Sequence, residues 1–221
     1  KWKSPASRIA TFEVTNNDST ATVKVVYEYK ELSTALDMVY TINAAGEIKV
    51  FQKLTANGKD MPDMYRFGVV IPMAKDFDVS TYYGKGPVEN YADRNDAAFV
   101  GIYKKTAEKQ AFHYVRPQET GTKSSMRWWK QTTIGGRGIE ITADKPFYAS
   151  ALNYTIESLD EGDQKHGSFF NDVPTCGFVN LCIDSEMAGV GGINSWGSLP
   201  LEQYRVKYGN RAFTFKISPT H

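Results

Sequence analysis

The stretch "TATVKVVYEYK", residues 20–30, alternates two kinds of side chain along its length. Every second position is apolar or aromatic, and these positions share one face of an extended chain: Val23, Val25, Tyr27 and Tyr29. The charged residues fall on the opposite face: Lys24, Glu28 and Lys30. A period of two is typical of a strand with one buried face. The stretch therefore predicts a half-buried β-strand.

Segments of the same kind recur along the chain. "MVYTIN" and "EIKVFQKL" flank Ala44-Ala45-Gly46, and "QYRVKY" and "AFTFKIS" flank residues 209–211, so we predict two hairpins. Further strands are predicted at "YRFGVVIPM", "DVSTYYG", "AAFVGIYKK", "RWWKQTT", "GIEITAD" and "GFVNLCID". A helix is considered only for "NYTIESLDEGDQKH", residues 153–166.

The fold class follows from this series of short strands. The chain has 221 residues, of which 41% are hydrophobic, and no repeat or Pro/Ser-rich linker divides it. All-β domains of about 200–250 residues are common as single units. We predict an all-β fold, one large antiparallel β-sandwich that spans residues 1–221 as a single domain. Loops at the ends of such a sandwich are the expected carriers of function.

Charge and hydropathy exclude several classes of partner. The chain has 26 basic and 25 acidic residues, a net charge of +1, so no overall field attracts nucleic acid or an anionic membrane. No apolar run approaches the ~20 residues of a membrane helix. The start, "KWKSPASRIATF", lacks the apolar core of a signal peptide, and since the chain begins with Lys1 we expect upstream sequence to have been removed.

Residues with catalytic or metal-binding potential are few. We expect Cys176 and Cys182 to be unbridged, unreactive thiols. His113 lies in the strand-like "QAFHYVRP", His166 lies in a polar connection, and His221 ends the chain. None has metal-ligand spacing, and no nucleophile elbow, P-loop or dinucleotide fingerprint is present. We therefore predict no metal site and no catalytic residue from these groups.

The segment "YYGKGPVENYADR", residues 82–94, carries the densest group of polar side chains. We expect Gly84, Gly86 and Pro87 to form a tight turn. It presents four polar side chains: Glu89, Asn90, Asp93 and Arg94. Two carboxylates could act as an acid/base pair, which a retaining glycosidase places about 5–5.5 Å apart. The interpretation we favour is structural: an ion pair and side-chain to backbone hydrogen bonds that hold this loop.

The segment "GVGGINSWGSLP", residues 189–200, places Trp196 among glycines that favour irregular backbone. One interpretation is an aromatic ring presented for binding on a loop. The other is a ring that plugs the end of the core, which composition alone favours because tryptophan is highly buried on average.

Three blocks carry a resemblance to a known family: "GKGPVENYADR" (84–94), "HYVRPQETGTKSSMRW" (113–128) and "LCIDSEMAGVGGINSWG" (181–197). Their order and spacing resemble those in the C-terminal domain of large glycoside hydrolase family 2 β-galactosidases, and the likeness spans nearly the whole chain. It implies a galactose-mutarotase-like supersandwich. It also implies one domain of a bacterial enzyme of the cytoplasm or periplasm that hydrolyses terminal β-D-galactosides with retention.

The resemblance further implies how the site is divided. Trp196 would reach an active site formed mainly by a barrel domain and stack on the sugar, with Asn194 and Ser195 beside it as substrate-binding residues. The catalytic glutamates would lie in the barrel, so this chain alone would be inactive. No cofactor is expected here, whereas Mg and Na are implied for the full enzyme. The implied partners are the other domains of the same polypeptide and a homo-oligomer.

Departures from the family's commoner pattern leave the preferred galactoside open: Ile193-Asn194 precede the Ser-Trp pair, and Glu186 stands where histidine is frequent. Two rival interpretations remain. One is a free-standing carbohydrate-binding or aldose-mutarotase-like module in which His113 and a carboxylate form an acid/base pair. The other is a purely structural domain that provides packing and oligomerisation surface.

Overall fold

The structure is a computed structural model that describes residues 2–3, 5–58, 61–160, 162, 167–192, 194 and 197–221. Within these ranges the helical structure is limited to 3₁₀ turns of three residues each, and none is long or apolar enough to cross a membrane. The described residues form eleven strands: β1 (Arg8–Asn16), β2 (Thr20–Tyr29), β3 (Thr34–Asn43), β4 (Ile48–Ala56), β5 (Arg66–Ala74), β6 (Val79–Gly86), β7 (Phe99–Thr106), β8 (Lys123–Thr132), β9 (Gly138–Leu152), β10 (Phe178–Met187) and β11 (Arg211–Thr220).

The meander β1–β2–β3–β4 contains the stretch with which the sequence analysis began. β2 pairs antiparallel with both β1 and β3, and Val25 on its apolar face is buried. The predicted β3–β4 hairpin is confirmed. Its turn is closed by the side chain of Asn43, whose Oδ1 accepts hydrogen bonds from the backbone N–H groups of Ala45 and Glu47. Strand β1, which the sequence analysis did not identify, has exposed side chains along nearly its whole length.

Strand β9 is the branch point of the sheet. The main order is β1-β2-β3-β4-β11-β9-β8-β6-β7, and β10 pairs with both β9 and β5. Because β9 has 15 residues, its first part pairs with β11 and its last part, Tyr148–Leu152, pairs with β10. Apolar side chains from β4, β11 and β10 then meet in one core that includes Val50, Phe215 and Leu181. All pairings are antiparallel, so the all-β antiparallel fold class is confirmed.

Three predictions of local structure are wrong. "QYRVKY" is not the first strand of a hairpin, because Glu202–Tyr204 form a 3₁₀ turn and Val206 makes a single bridge to Met64. β11 instead pairs with β4 and β9, a central position that buries Phe213 and Phe215. Burial of these rings outweighs the local signal of a turn at residues 209–211.

The segments around His113 and residues 153–166 also differ from expectation. Residues 111–114 are irregular, since the N–H of Phe112 donates to the hydroxyl of Thr120 rather than to a neighbouring strand. In place of a helix, the described part of 153–166 contains one 3₁₀ turn, Glu157–Leu159, which packs Leu159 into a small second apolar cluster with Leu152 and Phe170.

Candidate functional site

The polar segment 84–94 begins at the end of β6. Gly84 and Gly86 lie in this strand rather than in the turn, and the chain changes direction after Pro87. A Cβ atom on Gly84 would lie 2.0 Å from Cε of Met126, and one on Gly86 would lie 2.8 Å from the ring of Tyr103. The two glycines are therefore required for close packing inside the sheet, which is a different role from the predicted one.

Glu89 is the acceptor at the centre of this segment. Its side chain is 7% exposed, and Oε2 accepts hydrogen bonds from the hydroxyl of Thr120 (2.9 Å) and the backbone N–H of Gly121 (2.7 Å). Oε1 accepts from the hydroxyl of Tyr114 and forms an ion pair with Arg94 at 2.5 Å. Both oxygens are thus used to join the segment to the loop between β7 and β8.

Asn90 holds the same two loops together from the inside. It is 1% exposed, and its Oδ1 accepts hydrogen bonds from the backbone N–H and the hydroxyl of Ser124. Its Nδ2 donates to the carbonyl oxygens of Lys85 and Val88. These four bonds use the full hydrogen-bonding capacity of the amide. Asn90 consequently fixes the path of the backbone after β6.

Asp93 links the polar segment, residues 82–94, to the start of the glycine-rich segment. Its Oδ1 accepts a hydrogen bond from the backbone N–H of Val190 (3.2 Å), and its Oδ2 accepts one from the N–H of Gly191 (2.7 Å). A Cβ atom on Gly189 would lie 2.4 Å from Oδ2 of Asp93. The N–H of Gly189 donates to the carbonyl of Tyr204 at 2.7 Å. The start of the glycine-rich segment is therefore held by the carboxylate and by backbone contacts.

The glycine-rich segment also approaches itself closely. A Cβ atom on Gly192 would lie 2.4 Å from the carbonyl oxygen of Ser198, so residues 192 and 198 lie in close contact. Asn194 is exposed. Trp196 and Ser195, the other predicted substrate-binding residues, lie outside the described residues, and their predicted roles stay predictions.

A partly buried charged cluster lies next to this site, and no local pattern in the sequence indicated it. Arg66 on β5 donates to Oδ2 of Asp184 on β10 at 2.6 Å and lies 3.8 Å from a carboxylate oxygen of Glu119. Glu119 also accepts hydrogen bonds from the hydroxyls of Thr122 and Tyr91. Burial raises the pKa of the Glu119 carboxyl, while the Arg66 guanidinium opposes that rise.

Lys123 at the start of β8 is a second group that sequence reasoning missed. It is fully buried, and its ammonium donates to Oε1 of Gln110 (2.7 Å) and to the carbonyl of Gly121 (2.6 Å). Gln110 donates in turn to the hydroxyl of Ser80. Burial, with a smaller contribution from repulsion by Lys105, lowers the pKa of Lys123 to about 7. Lys123 therefore lies in a buried polar network behind the loop that Glu89 holds.

His113, His221 and the two cysteines are dispersed rather than gathered at the site. The ring of His113 stacks on Phe170 with centroids 4.5 Å apart, and His166 lies outside the described residues. Both cysteines are free thiols. Among the residues that the structure describes, no three His, Cys, Asp or Glu side chains form a group that could hold a metal ion. The Mg and Na that the resemblance implies for the full enzyme stay predictions, and we derive no chemistry from either.

Comparison with known proteins identifies relatives that are much longer than this chain. The family model for the β-galactosidase small chain matches residues 1–217. A β-galactosidase of Priestia megaterium is 34% identical over 184 residues, which are 82% of this chain and 17% of the relative. The β-galactosidase BgaC of Bifidobacterium adolescentis is 31% identical over 193 residues, 83% of this chain and 18% of the relative. The chain therefore spans less than a fifth of each of these relatives.

Among solved structures, the galactosidase domain of the α-galactosidase-sucrose kinase AgaSK superposes with a TM-score of 0.54. The alignment covers 99% of this chain and 28% of that one, at 11% sequence identity. This likeness shows a shared fold.

Proposed function

We propose that this chain, which belongs to the β-galactosidase small-chain family, is a non-catalytic domain of a longer bacterial enzyme that hydrolyses terminal β-D-galactosides with retention. The names of the relatives support this activity for the whole polypeptide. The other domains of that polypeptide, including a barrel that carries the catalytic carboxylates, are the partners of this chain, and the full enzyme assembles as a homo-oligomer.

In this proposal the glycine-rich segment contributes Trp196 to the active site, with Asn194 and Ser195 at the polar edge of the ring. The observation that carries the proposal is the pair of hydrogen bonds from Val190 and Gly191 to Asp93, which fixes the start of the segment without using a core side chain. Stacking suits a sugar because one face of the pyranose is apolar and its hydroxyls remain free at the edge.

The isolated chain performs no hydrolysis in this proposal. Both oxygens of Glu89 accept hydrogen bonds from the neighbouring loop, and both oxygens of Asp93 accept hydrogen bonds from backbone N–H groups. Carboxylates engaged in this way support a structural role rather than the proton transfer that glycoside cleavage requires.

Trp196 in the full-length enzyme provides the main test. We expect Trp196→Ala to raise KM and to weaken the use of sugar acceptors, because stacking contributes about 1–3 kcal/mol and each 1.4 kcal/mol changes a dissociation constant about tenfold. Trp196→Phe should retain part of the affinity. Trp128→Ala, which removes a partly exposed tryptophan of β8, is the matched control and should leave KM unchanged.

Two outcomes would contradict the proposal. Unchanged kinetics of Trp196→Ala, with a loss of about 3–5 kcal/mol in unfolding free energy, would identify the ring as part of the core. Turnover of nitrophenyl β-galactoside by the purified 221-residue chain, abolished in a Glu89→Gln, Asp93→Asn double variant, would show that this chain is itself catalytic.

A further inference from the structure

A cavity of about 520 Å³ lies on the face of β9 and β10 that points away from the main core. Its floor includes Ser150, Asn180 and Cys182, and its rim includes Tyr65, Arg116 and Tyr154. The volume falls within the range of roughly 300–1,000 Å³ that is typical of small-molecule sites. The cavity is separate from the hydrogen bonds of Glu89 and Asn90, although Gly189 and Val190 line one side of it.

The pleat of β10 explains why the floor is polar. Val179, Leu181 and Ile183 belong to the main core, so the intervening residues Asn180 and Cys182 face the opposite side. Asn180 is 6% exposed. The side chain of Asn180 has no hydrogen-bond partner among the residues that the structure describes, and it lines the cavity, so its amide is available to a ligand there.

The rim offers further groups that are free to bind. Within the described ranges, the side chains of Arg116, Gln118 and Tyr65 have no hydrogen-bond partner, and all three line the cavity. Tyr65 is 76% exposed, and Tyr154 provides a second aromatic ring in the lining. Amide, guanidinium and phenol groups beside aromatic rings are the chemistry that recognises a polyhydroxylated ring.

The charges of the lining favour a neutral ligand. Among the lining residues that the structure describes, two cationic residues, Arg66 and Arg116, are balanced by two acidic residues, Glu119 and Asp160. Arg66 is in addition paired with Asp184 at 2.6 Å, and Asp160 with Lys3 at 2.8 Å. Within the described lining, the guanidinium of Arg116 is the one positive charge without a paired carboxylate that an anion such as phosphate would meet. Neutral hydroxyl groups fit the lining better.

We propose that this cavity is a sugar-binding site of the domain itself, which takes a neutral monosaccharide unit. Asn180 and Arg116 bind the hydroxyl groups, and Tyr65 packs against a face of the ring. The site requires neither the barrel nor Trp196, so it does not depend on the function proposed above.

The test uses ¹H–¹⁵N NMR spectra of the labelled 221-residue chain, titrated separately with D-galactose, D-glucose and inorganic phosphate. We expect at least one sugar to shift the side-chain amide signals of Asn180 in a saturable way, and phosphate to bind more weakly. Tyr65→Ala and Arg116→Ala, both at exposed positions, should each weaken sugar binding by about tenfold, the equivalent of 1.4 kcal/mol. Asn180→Leu should abolish it.

Matched controls are Phe99→Ala, an equally exposed aromatic on β7, and Arg137→Ala, an exposed arginine outside the lining. Both should bind sugar like the unmodified chain. Absence of saturable shifts with either sugar, tighter binding of phosphate, or unchanged affinity in Tyr65→Ala and Arg116→Ala would each overturn the proposal. Loss of sugar binding in Trp196→Ala would assign the sugar to the glycine-rich segment instead of the cavity. Unchanged sugar binding in Trp196→Ala would support the cavity as the site, even if the kinetic test of Trp196 in the full-length enzyme fails.

Discussion

Asp93 and Gly191 are far apart in the sequence, yet Oδ2 of Asp93 accepts a hydrogen bond of 2.7 Å from the backbone N–H of Gly191. The other carboxylate oxygen accepts from Val190, so one side chain binds two consecutive residues of the glycine-rich segment. A carboxylate that accepts backbone N–H bonds makes charge-assisted hydrogen bonds, which are stronger than neutral ones. Through this contact, the loop after β6 determines where the segment that carries Trp196 begins.

Gly189→Ala should displace the glycine-rich segment. The added methyl group would lie 2.4 Å from the Asp93 carboxylate, and the backbone on its other side is held by Tyr204. We expect the KM of the full-length enzyme to rise, as it should in Trp196→Ala. Gly177→Ala is the control, since a Cβ there has no atom within 4 Å. Steady-state kinetics that are equal in both variants would contradict the role of the Asp93 contact.

Glu89→Ala should destabilise the domain. It would leave the N–H of Gly121 without its acceptor, whereas the hydroxyl of Thr120 would keep the carbonyl of Phe112 as an acceptor. A buried donor without a partner costs about 1–3 kcal/mol, so we expect a loss of that size in urea unfolding of the 221-residue chain. Glu13→Ala, at an exposed position of β1, should change little. A stability of Glu89→Ala equal to that of Glu13→Ala would refute the structural role.

Lys123 should make the domain more stable as the pH rises from about 7 to 9. Its pKa is lowered from 10.5 to about 7 in the folded chain, so the unfolded chain binds more protons throughout this range. The free energy of unfolding then increases with pH, by up to ~1.4 kcal/mol per pH unit. Lys123→Met should lose this slope and Lys145→Met, at an exposed position, should retain it. Chemical unfolding at several pH values measures this slope. If the free energy of unfolding changed equally with pH in Lys123→Met and Lys145→Met, burial of the ammonium would be contradicted.

The two thiols should differ in reactivity. Cys182 is 3% exposed and burial raises its pKa to about 11, whereas Cys176 is half-buried. Since the thiolate is the reactive form, an aromatic disulfide reagent should modify Cys176 in the native chain and Cys182 only after unfolding. The Cys176→Ser variant should therefore show no fast phase of thiol modification under native conditions. A fast phase in that variant, or a mass that increases by two daltons on reduction of the native chain, would contradict free and unequal thiols.

Local pattern alone determined much of the fold. The alternation in residues 20–30 predicted β2, and the turn after Asn43 predicted the β3–β4 hairpin, because strand period and turn chemistry depend on neighbouring residues. The segment around His113 could not be placed in the same way. Its composition is strand-like, but the backbone N–H of Phe112 donates to the hydroxyl of Thr120 instead of to a neighbouring strand.

Tertiary structure decided everything that joins distant parts of the chain. Asp93 and Gly191 lie dozens of positions apart in the sequence, and so do Arg66 and Asp184. Strand β11 is likewise far along the chain from its two partners, β4 and β9. No periodic signal in the sequence links these residues. The sequence determined which faces are apolar and which residues are polar. Only the folded chain decided which polar groups meet, because hydrogen bonding and close packing depend on distances that the order of residues does not specify.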